Sequence, residues 1–570
     1  MTADLLLTIL SCIGFMGLVA FVSWRQTRGR VDTGAGYFLA GRGLGATFIA
    51  GSLLLTNLSA EQLIGLNGSA YGYNLSSMGW EVTAAVATVL MAFFFLPKYL
   101  AGAFTTLPEF LSARFDEGVR RMTVVLFMLG YGLVTIPSVL YSGSIAVLKL
   151  FDVPELLQLE YGTSLVLTIV VIGALGASYA ILGGLRAVAV SDTLNGVGLL
   201  IVGVAVPWLG LQALGEGSVG AGLNVVLTSE TQKLNAIGGP TDPTPFATLF
   251  TGMVFANLFY WCTNQYVIQR TLAARSLAEG QKGVLLSGFF KVLVPLLMMI
   301  PGVVAYHLYG PELQSIDLAY PQLVRDVLPV YATGFFLAVL LGAVLSSFNS
   351  LINSASTLFC IDVYQPLVGR MVSDVEMVRV AKRVGLVMTG FSLLVAPLLQ
   401  FAAEGLWQVI RIFTGFYNIP MIAIVIIGLF TRQVPAVAAK VVIVFHIVAY
   451  GTFQFVLKDL LPVHFLHLYA ILFVVEVSMM LAIGVWRPRE EDTAIRQTAE
   501  VDLTPWTYAP PCAVTLLSCV AALYVVFSPV GLVGDGSNLF APVLLGLLAL
   551  NVLFWLGWHQ RLSAGSGAHA

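Results

Sequence analysis

Apolar residues in this chain come in long blocks, not in the short rhythms of a soluble fold. Fifteen such blocks lie near residues 4–24, 46–72, 76–97, 122–150, 162–182, 187–213, 245–268, 283–308, 330–359, 381–402, 405–430, 434–457, 463–486, 510–529 and 537–558. Runs of about 20 apolar residues are long enough, as helices, to cross a ~30 Å hydrocarbon core. A transmembrane barrel would instead alternate over ~10-residue segments. The pattern predicts an all-α, multi-pass membrane protein with about 15 transmembrane helices. Composition agrees: 58% of residues are hydrophobic and 10% charged, with mean hydropathy +0.90, against roughly 25% charged in a soluble chain. The formal net charge of −2 and the absence of a basic patch argue against a nucleic-acid partner. The expected surroundings are the lipid bilayer of the cell membrane.

Lys and Arg set the expected orientation. With the N-terminus outside and the spans alternating, Lys149, Lys233, Arg325 and Lys458 fall outside, and Lys291 and Arg411 fall inside spans. The other 22 of the 28 cations then gather at the cytoplasmic side, and the C-terminus lies inside. The first block has no basic region before it and no obvious cleavage site, so it reads as a retained span. Three connections are long. Ala101–Arg121 holds TLPEFLSARF, expected to lie on the membrane surface. Leu214–Asp242 is rich in Gly, Ser, Thr and Asn. Arg487–Thr504 is highly charged and expected to be mobile.

Two blocks stop behaving like membrane helices part-way through. In GSLLLTNLSAEQLIGLNGSAYGY (Gly51–Tyr73), the residues Thr56, Asn57, Ser59, Glu61 and Gln62 crowd the middle, and Gly65, Gly68 and Gly72 follow. Polar groups at bilayer depth are costly unless they face a cavity or a partner, and each glycine weakens a helix by roughly 1 kcal/mol. The pattern predicts an interrupted helix whose freed carbonyls can hold a cation. A continuous helix with polar glue and small contact residues is the alternative. The seventh block, TGMVFANLFYWCTNQYVIQR, carries Asn257, Tyr260, Trp261, Asn264 and Gln265 in its second half. It lies five spans later, and a repeat of five spans comes out inverted. Paired broken helices opening two inverted five-helix repeats predict a LeuT-type core. The expected layout is a peripheral first helix and linker over 1–44, a transport core over 45–432 with repeats 45–214 and 244–432, and peripheral helices over 433–570.

Ionisable residues within spans are rare and mark pathways or buried pairs. Here they are Glu81, Asp192, Lys291, Arg411 and Glu476, with His446 a further candidate. Glu81 and Lys291 either pair with each other or both face a hydroxyl-rich solute, for which a carboxylate accepts and an ammonium donates. Arg411 can bind an anionic group, close a gate, or snorkel to a surface. Glu476 and His446 lie in the peripheral region and read as structural. The ninth span carries Ser346, Ser347, Ser350, Ser354 and Ser356. Such serines often bond only the i−4 carbonyl. Two adjacent hydroxyls with carbonyls from a facing broken helix would also make an oxygen cage for a hard cation. One nearby carboxylate favours a monovalent ion. The five cysteines show no CxxC spacing, and His464 and His467 read as a wet helix end.

The stretches NLSAEQLIGLNGSAY, TLPEFLSARF, ANLFYWCTNQYVIQRTLAARSLAEGQKG, FFKVLVPLLMMIPGVVAY and SSFNSLINSASTLFCIDVY resemble the sodium/solute symporter family, in particular its bacterial sodium/sugar cotransporter branch. The resemblance covers roughly residues 35–435. It implies LeuT-type architecture, alternating access, and solute uptake driven by sodium. It places a sodium site at the backbone carbonyls of Leu55, Leu58 and Ala343 with the hydroxyls of Ser346 and Ser347. Sugar contacts are implied at Asn57, Gln62, Glu81, Asn257 and Lys291, with Tyr141 lining the same cavity. The resemblance makes Tyr260 an aromatic gate with Trp261 beside it, and Asp192 an acid on the sodium path. Some positions depart from the pattern: Ala84 stands where the family has Ser, Trp80 where it has Tyr, and Arg411 where it has a sugar-contacting Gln. These put the usual hexose specificity in question and open an acidic or modified sugar. Where relatives with a second sodium carry two hydroxyls, this chain has Asn349 and Ser350, so one sodium per cycle is expected.

Other classes fit less well. No signalling domain follows the spans, which argues against a sensor. No HExxH, GxSxG or paired-carboxylate motif appears, which argues against an enzyme. No filter-like repeat suggests a channel. Within transporters, a symporter of an amino acid or vitamin is the near rival, and the set Glu81, Asn257, Lys291 favours sugar.

Overall fold

In this computed structural model, residues 3–28, 33–313, 315–401, 406–458, 460, 463–489, 501–534 and 538–567 are described. The described residues form helices and the connections between them. Thirteen helices are long and apolar enough to cross a membrane, and a bent pair makes a fourteenth span. In chain order, α1 is Ala3–Thr27, α2 Ala46–Asn57 and α3 Ala60–Gly72. Then follow α4 (Leu75–Ala101), α5 (Glu117–Leu148), α6 (Tyr161–Ser178) and α7 (Gly183–Leu214). The second half opens with α8 (Gly252–Cys262) and α9 (Gln265–Leu272). It continues with α10 (Leu277–Tyr309), α11 (Val330–Val368) and α12 (Asp374–Phe401). The remainder is α13 (Leu406–Phe430), α14 (Ala436–Leu457), α15 (Phe465–Trp486), α16 (Ala509–Val526) and α17 (Phe540–Gly567). All fifteen apolar blocks are thus helical, and the two with polar centres are the two that break.

The broken helices occupy the middle of the fold. The arm α2 packs on α7, α10 and α11, while α8 packs on α4, α13 and α15. At one membrane face the start of α2 meets the end of α9. There Leu44 donates its N–H to the Ala273 carbonyl and accepts from Arg275 N–H, each at 3.1 Å. Close approach is built into Gly51, where a Cβ would stand 2.6 Å from Thr193 Oγ1 and 2.9 Å from its Cα. This glycine lets α2 lie directly on α7. At the start of α7 the chain turns at Gly184, whose φ of +56° suits glycine, and whose missing Cβ admits the Tyr37 carbonyl at 2.7 Å.

The periphery follows from packing. No residue in the apolar window of α17 is buried, as expected of a helix that meets lipid on most of its surface. His446 ties the peripheral helices α14 and α15 to α13: Nδ1 lies 2.5 Å from Glu476 Oε1 and Nε2 2.8 Å from the Gly415 carbonyl. His464 caps α15, and His467 bonds Thr251 at 3.0 Å.

Two connections differ from expectation. TLPEFLSARF does form a short helix, Leu107–Arg114, capped by Thr106. It is buried against protein instead of resting on lipid, because Arg114 donates to the carbonyls of Gly428, Thr431 and Val434 and the Leu107 N–H donates to Gln265. The loop Leu214–Asp242 contains a helix, Val219–Thr228. Lys233 then straps it over the end of α3, donating to the Tyr71 carbonyl at 2.8 Å. Of Arg487–Thr504, residues 490–500 lie outside the described residues.

Candidate functional site

The two arms α2 and α3 bend by 59° at the break. Leu58 leaves the helical region, with φ −83° and ψ 85°. Ser59 then starts the second arm, its hydroxyl accepting from the Gln62 N–H at 3.4 Å. A helix end leaves its last carbonyls without partners. Here the Leu54 carbonyl takes the Leu58 N–H and the Asn57 carbonyl takes the Ser59 N–H. The Thr56 carbonyl accepts from the Ser347 hydroxyl at 3.3 Å. Among the described residues, no N–H from the break closes on the carbonyls of Leu55 or Leu58.

Those two carbonyls and the serine pair are the candidate cation ligands. Ser346 Oγ is buried and has no hydrogen-bond partner. Ala343 and Leu58 both line one small cavity, and Ser346 lines a second one with Ser191, Asn195 and Asn349. The donors are all neutral oxygens, a set that suits a monovalent cation.

Beyond the break lies a tighter polar cluster. Lys291 on α10 donates to Glu81 Oε2 at 2.5 Å and to the Asn57 side-chain carbonyl. Gln62 donates to Glu81 Oε1 at 2.7 Å. The Lys291 and Glu81 side chains are 1% and 2% exposed, so two full charges sit away from water and depend on each other. The Lys291 ammonium lies 5.7 Å from the centre of the Trp261 ring. One turn later Pro295 has no N–H for the Lys291 carbonyl, and α10 widens into a π-helical stretch over Pro295–Met299.

The second broken helix has its own cap. The Tyr131 hydroxyl donates to Asn264 Oδ1 at 2.6 Å and accepts from the Tyr266 N–H at 3.3 Å, holding the gap between α8 and α9. Tyr260, at the end of α8, packs edge-on against both Trp261 and Tyr266 and reaches Asn57.

The structure therefore brings together Asn57, Gln62, Glu81, Lys291, Tyr260 and Trp261. Asn257 is buried but turns its amide back to the Met253 carbonyl at 3.2 Å. Tyr141 is buried on α5 and, among the described residues, joins no hydrogen bond of the cluster. Arg411 belongs to α13, and its side chain lies outside the described residues. Asp192 accepts from Ser52 at 2.5 Å, one helix turn from the break. A residue that sequence reasoning passed over completes this region: Arg270, fully buried, donates to Ser52 at 2.8 Å and to Ser350. It falls two positions beyond the seventh apolar block, where an arginine reads as a surface anchor. The signal that separates it from one is the polar run before it, which breaks the helix and carries its end back into the core.

Comparison with known proteins places the chain. The family model described as "Sodium:solute symporter family" matches residues 37–441. The symporter YidK of Escherichia coli (strain K12) is 43% identical over 97% of each chain. The sodium/glucose cotransporter of Vibrio parahaemolyticus is 29% identical over 90% of this chain and 96% of that one. The human sodium/myo-inositol cotransporter 2 is 31% identical over 74% of this chain and 65% of that one. Among solved structures, a substrate-bound, outward-open sodium-coupled sialic acid symporter superposes with a TM-score of 0.74 at 21% identity, over 85% of this chain and 99% of that one. With the paired broken helices, this fold is the LeuT type. The chain belongs to the sodium:solute symporter family and is a multi-pass cell-membrane protein that couples solute transport to sodium.

Proposed function

We propose that the protein imports a sugar or a sugar-like polyol together with one sodium ion by alternating access. The observation that carries the solute class is the Glu81–Lys291 pair with Asn57 and Gln62 around it. This group offers a carboxylate, an ammonium and two amides within one cluster, the mixed acceptors and donors that hydroxyls need. In the solute-free state the charges satisfy each other. A bound polyol would slot hydroxyls between them without changing the net charge of the site. Relatives named for glucose and myo-inositol transport support the same class.

Sodium binds first, at the carbonyls of Leu55, Leu58 and Ala343 and the hydroxyls of Ser346 and Ser347. It ties the end of α2 to α11 and so fixes the break, which carries Asn57 and orients Gln62. Tyr260 and Trp261 close one side of the solute. Coupling then rests on sodium binding one conformation better than the other. A potential of about −100 mV supplies ~2.3 kcal/mol per sodium, enough for roughly 50-fold solute accumulation.

The test is uptake into proteoliposomes under an imposed sodium gradient, with neutral hexoses and inositols beside hexuronic and sialic acids. Sodium-dependent uptake of a neutral polyol is the expected result and leaves Arg411 a gate or structural residue. Uptake of acidic sugars alone would make Arg411 the partner of their carboxylate. Uptake of none of these would overturn the sugar reading.

A further inference from the structure

The two broken helices are finished in opposite ways. The first offers open carbonyls at its break, whereas side chains from other helices reach into the second. Tyr99 on α4 donates to the Cys262 carbonyl at 3.0 Å, and Gln265 takes the Leu107 N–H at 2.8 Å. The Tyr131 hydroxyl does something different. Asn264 is the N-cap of α9, and an Asn in that place ordinarily accepts from the N–H two or three residues on. Here its side chain caps no N–H of the helix. The Tyr131 hydroxyl is interposed: it gives its proton to Asn264 Oδ1 and takes the Tyr266 N–H that Asn264 would otherwise take. Tyr131, Asn264 and Tyr266 are all buried. Tyr131 lies in a π-helical stretch of α5, Gly130–Thr135, a widening frequent at functional sites. Ser354 on α11 faces the same hydroxyl. Its own Oγ is buried and has no hydrogen-bond partner. From Tyr131 a file of edge-on rings leads to the gate. Ring centres are 5.7 Å apart from Tyr131 to Tyr266, 5.8 Å from Tyr266 to Tyr260 and 5.7 Å from Tyr260 to Trp261.

We propose that Tyr131 positions the gate, as an N-cap on loan from α5 that α9 exchanges when the gate moves. With the hydroxyl inserted, the first turn of α9 is pinned to α5, and Tyr266 backs Tyr260 against Asn57. When the hydroxyl withdraws, Asn264 Oδ1 takes the Tyr266 N–H directly and the Tyr131 hydroxyl turns to Ser354. Two hydrogen bonds exist before the exchange and two after it. No buried polar group of the exchange is left stranded in either position, a loss that would be costly. The break therefore has two discrete arrangements close enough in energy for sodium and solute to choose between them. Tyr131 is a positioning residue, acting on solute through Tyr266 and Tyr260.

The proposal rests on the reading that Tyr260 and Trp261 close one side of the solute, and its test reads the gate without needing the solute. Cys262 follows Trp261 directly, is 0% exposed, and holds its thiol 3.6 Å from the Ala87 carbonyl. Cys360 on α11 is equally buried and serves as the control inside the same molecule. The purified full-length protein is treated with N-ethylmaleimide in sodium-free buffer, and the labelling rate of each cysteine is read by peptide mass spectrometry. Tyr131→Phe keeps the ring but loses two bonds in the inserted position and one in the withdrawn position. Cys262 should therefore label roughly fivefold faster, the worth of one net hydrogen bond, with Cys360 as in wild type. Ser354→Ala removes the partner of the withdrawn hydroxyl and should slow Cys262 labelling by a similar factor. This opposite sign keeps the test decisive if Tyr131→Phe fails to fold. Unchanged Cys262 labelling in Tyr131→Phe, a parallel rise at Cys360, or faster labelling in Ser354→Ala would overturn the proposal. Tyr260→Ala separates the underlying reading: it should also speed Cys262 labelling, and no change there would overturn the gate itself.

Discussion

Lys291→Met is the most informative single perturbation of the solute cluster. Lys291 touches Glu81 at 2.5 Å and also Asn57, and the pair is 1% and 2% exposed at the side chains. Without the ammonium, Glu81 keeps one donor, Gln62 at 2.7 Å, for a carboxylate that burial has stripped of water. Breaking a buried pair from one side costs on the order of 3–5 kcal/mol. Glu81→Gln leaves the ammonium equally stranded. Removing both charges removes the cause, so Glu81→Gln/Lys291→Met should be less destabilised than either single variant, with a coupling of about 2–3 kcal/mol. The assay is thermal stability of the detergent-solubilised protein, read by size-exclusion fluorescence after heating. Sodium-dependent uptake is measured in parallel. All three variants should lose uptake, because the solute loses an acceptor or a donor, while the double variant alone regains stability. Additive losses, with the double variant as unstable as the sum of the singles, would refute the mutual dependence of these charges. Full uptake in the double variant would refute their contact with solute.

Ser347→Ala removes one hydroxyl from the candidate sodium site and its bond to the Thr56 carbonyl. The sodium concentration for half-maximal uptake should rise roughly tenfold, about 1.4 kcal/mol, and an unchanged sodium dependence would remove Ser347 from the site. Gly51→Ala forces a methyl to within 2.6 Å of Thr193. It should cost about 1–3 kcal/mol of stability and depress transport, and Thr193→Gly in the same chain should restore part of both. Glu476→Gln weakens a buried charge-assisted bond to His446 at 2.5 Å, and about 1.5–3 kcal/mol of stability should be lost. Solute half-saturation should stay as in wild type, since this pair braces α13, α14 and α15 away from the cluster.

What the sequence made legible was whatever depends on membrane depth. Length and hydropathy located every span, because the bilayer penalises polar backbone and side chains so uniformly that apolar runs become helices. The same penalty exposed the two breaks: Asn57, Ser59 and Gln62, or Asn264 and Gln265, have no place in lipid unless the helix opens. Glu81 and Lys291 stood out for that reason, though spacing alone left open whether they met each other or a solute. The TLPEFLSARF segment was misjudged because its apolar face suits lipid and protein equally, and only Arg114 reaching three carbonyls decides between them.

Arg270 marks the other boundary of such reading. A cation just beyond an apolar run is normally pulled to the surface, and hydropathy cannot see that a broken helix has turned its end inward. The structure places the guanidinium between α2 and α11, against Ser52 and Ser350, at the contact that sodium is proposed to bridge one turn away. A tethered positive charge near a buried acid offsets part of the cost of stripping that carboxylate of water. That cost follows from burying Asp192, whatever solute the cluster beyond the break receives.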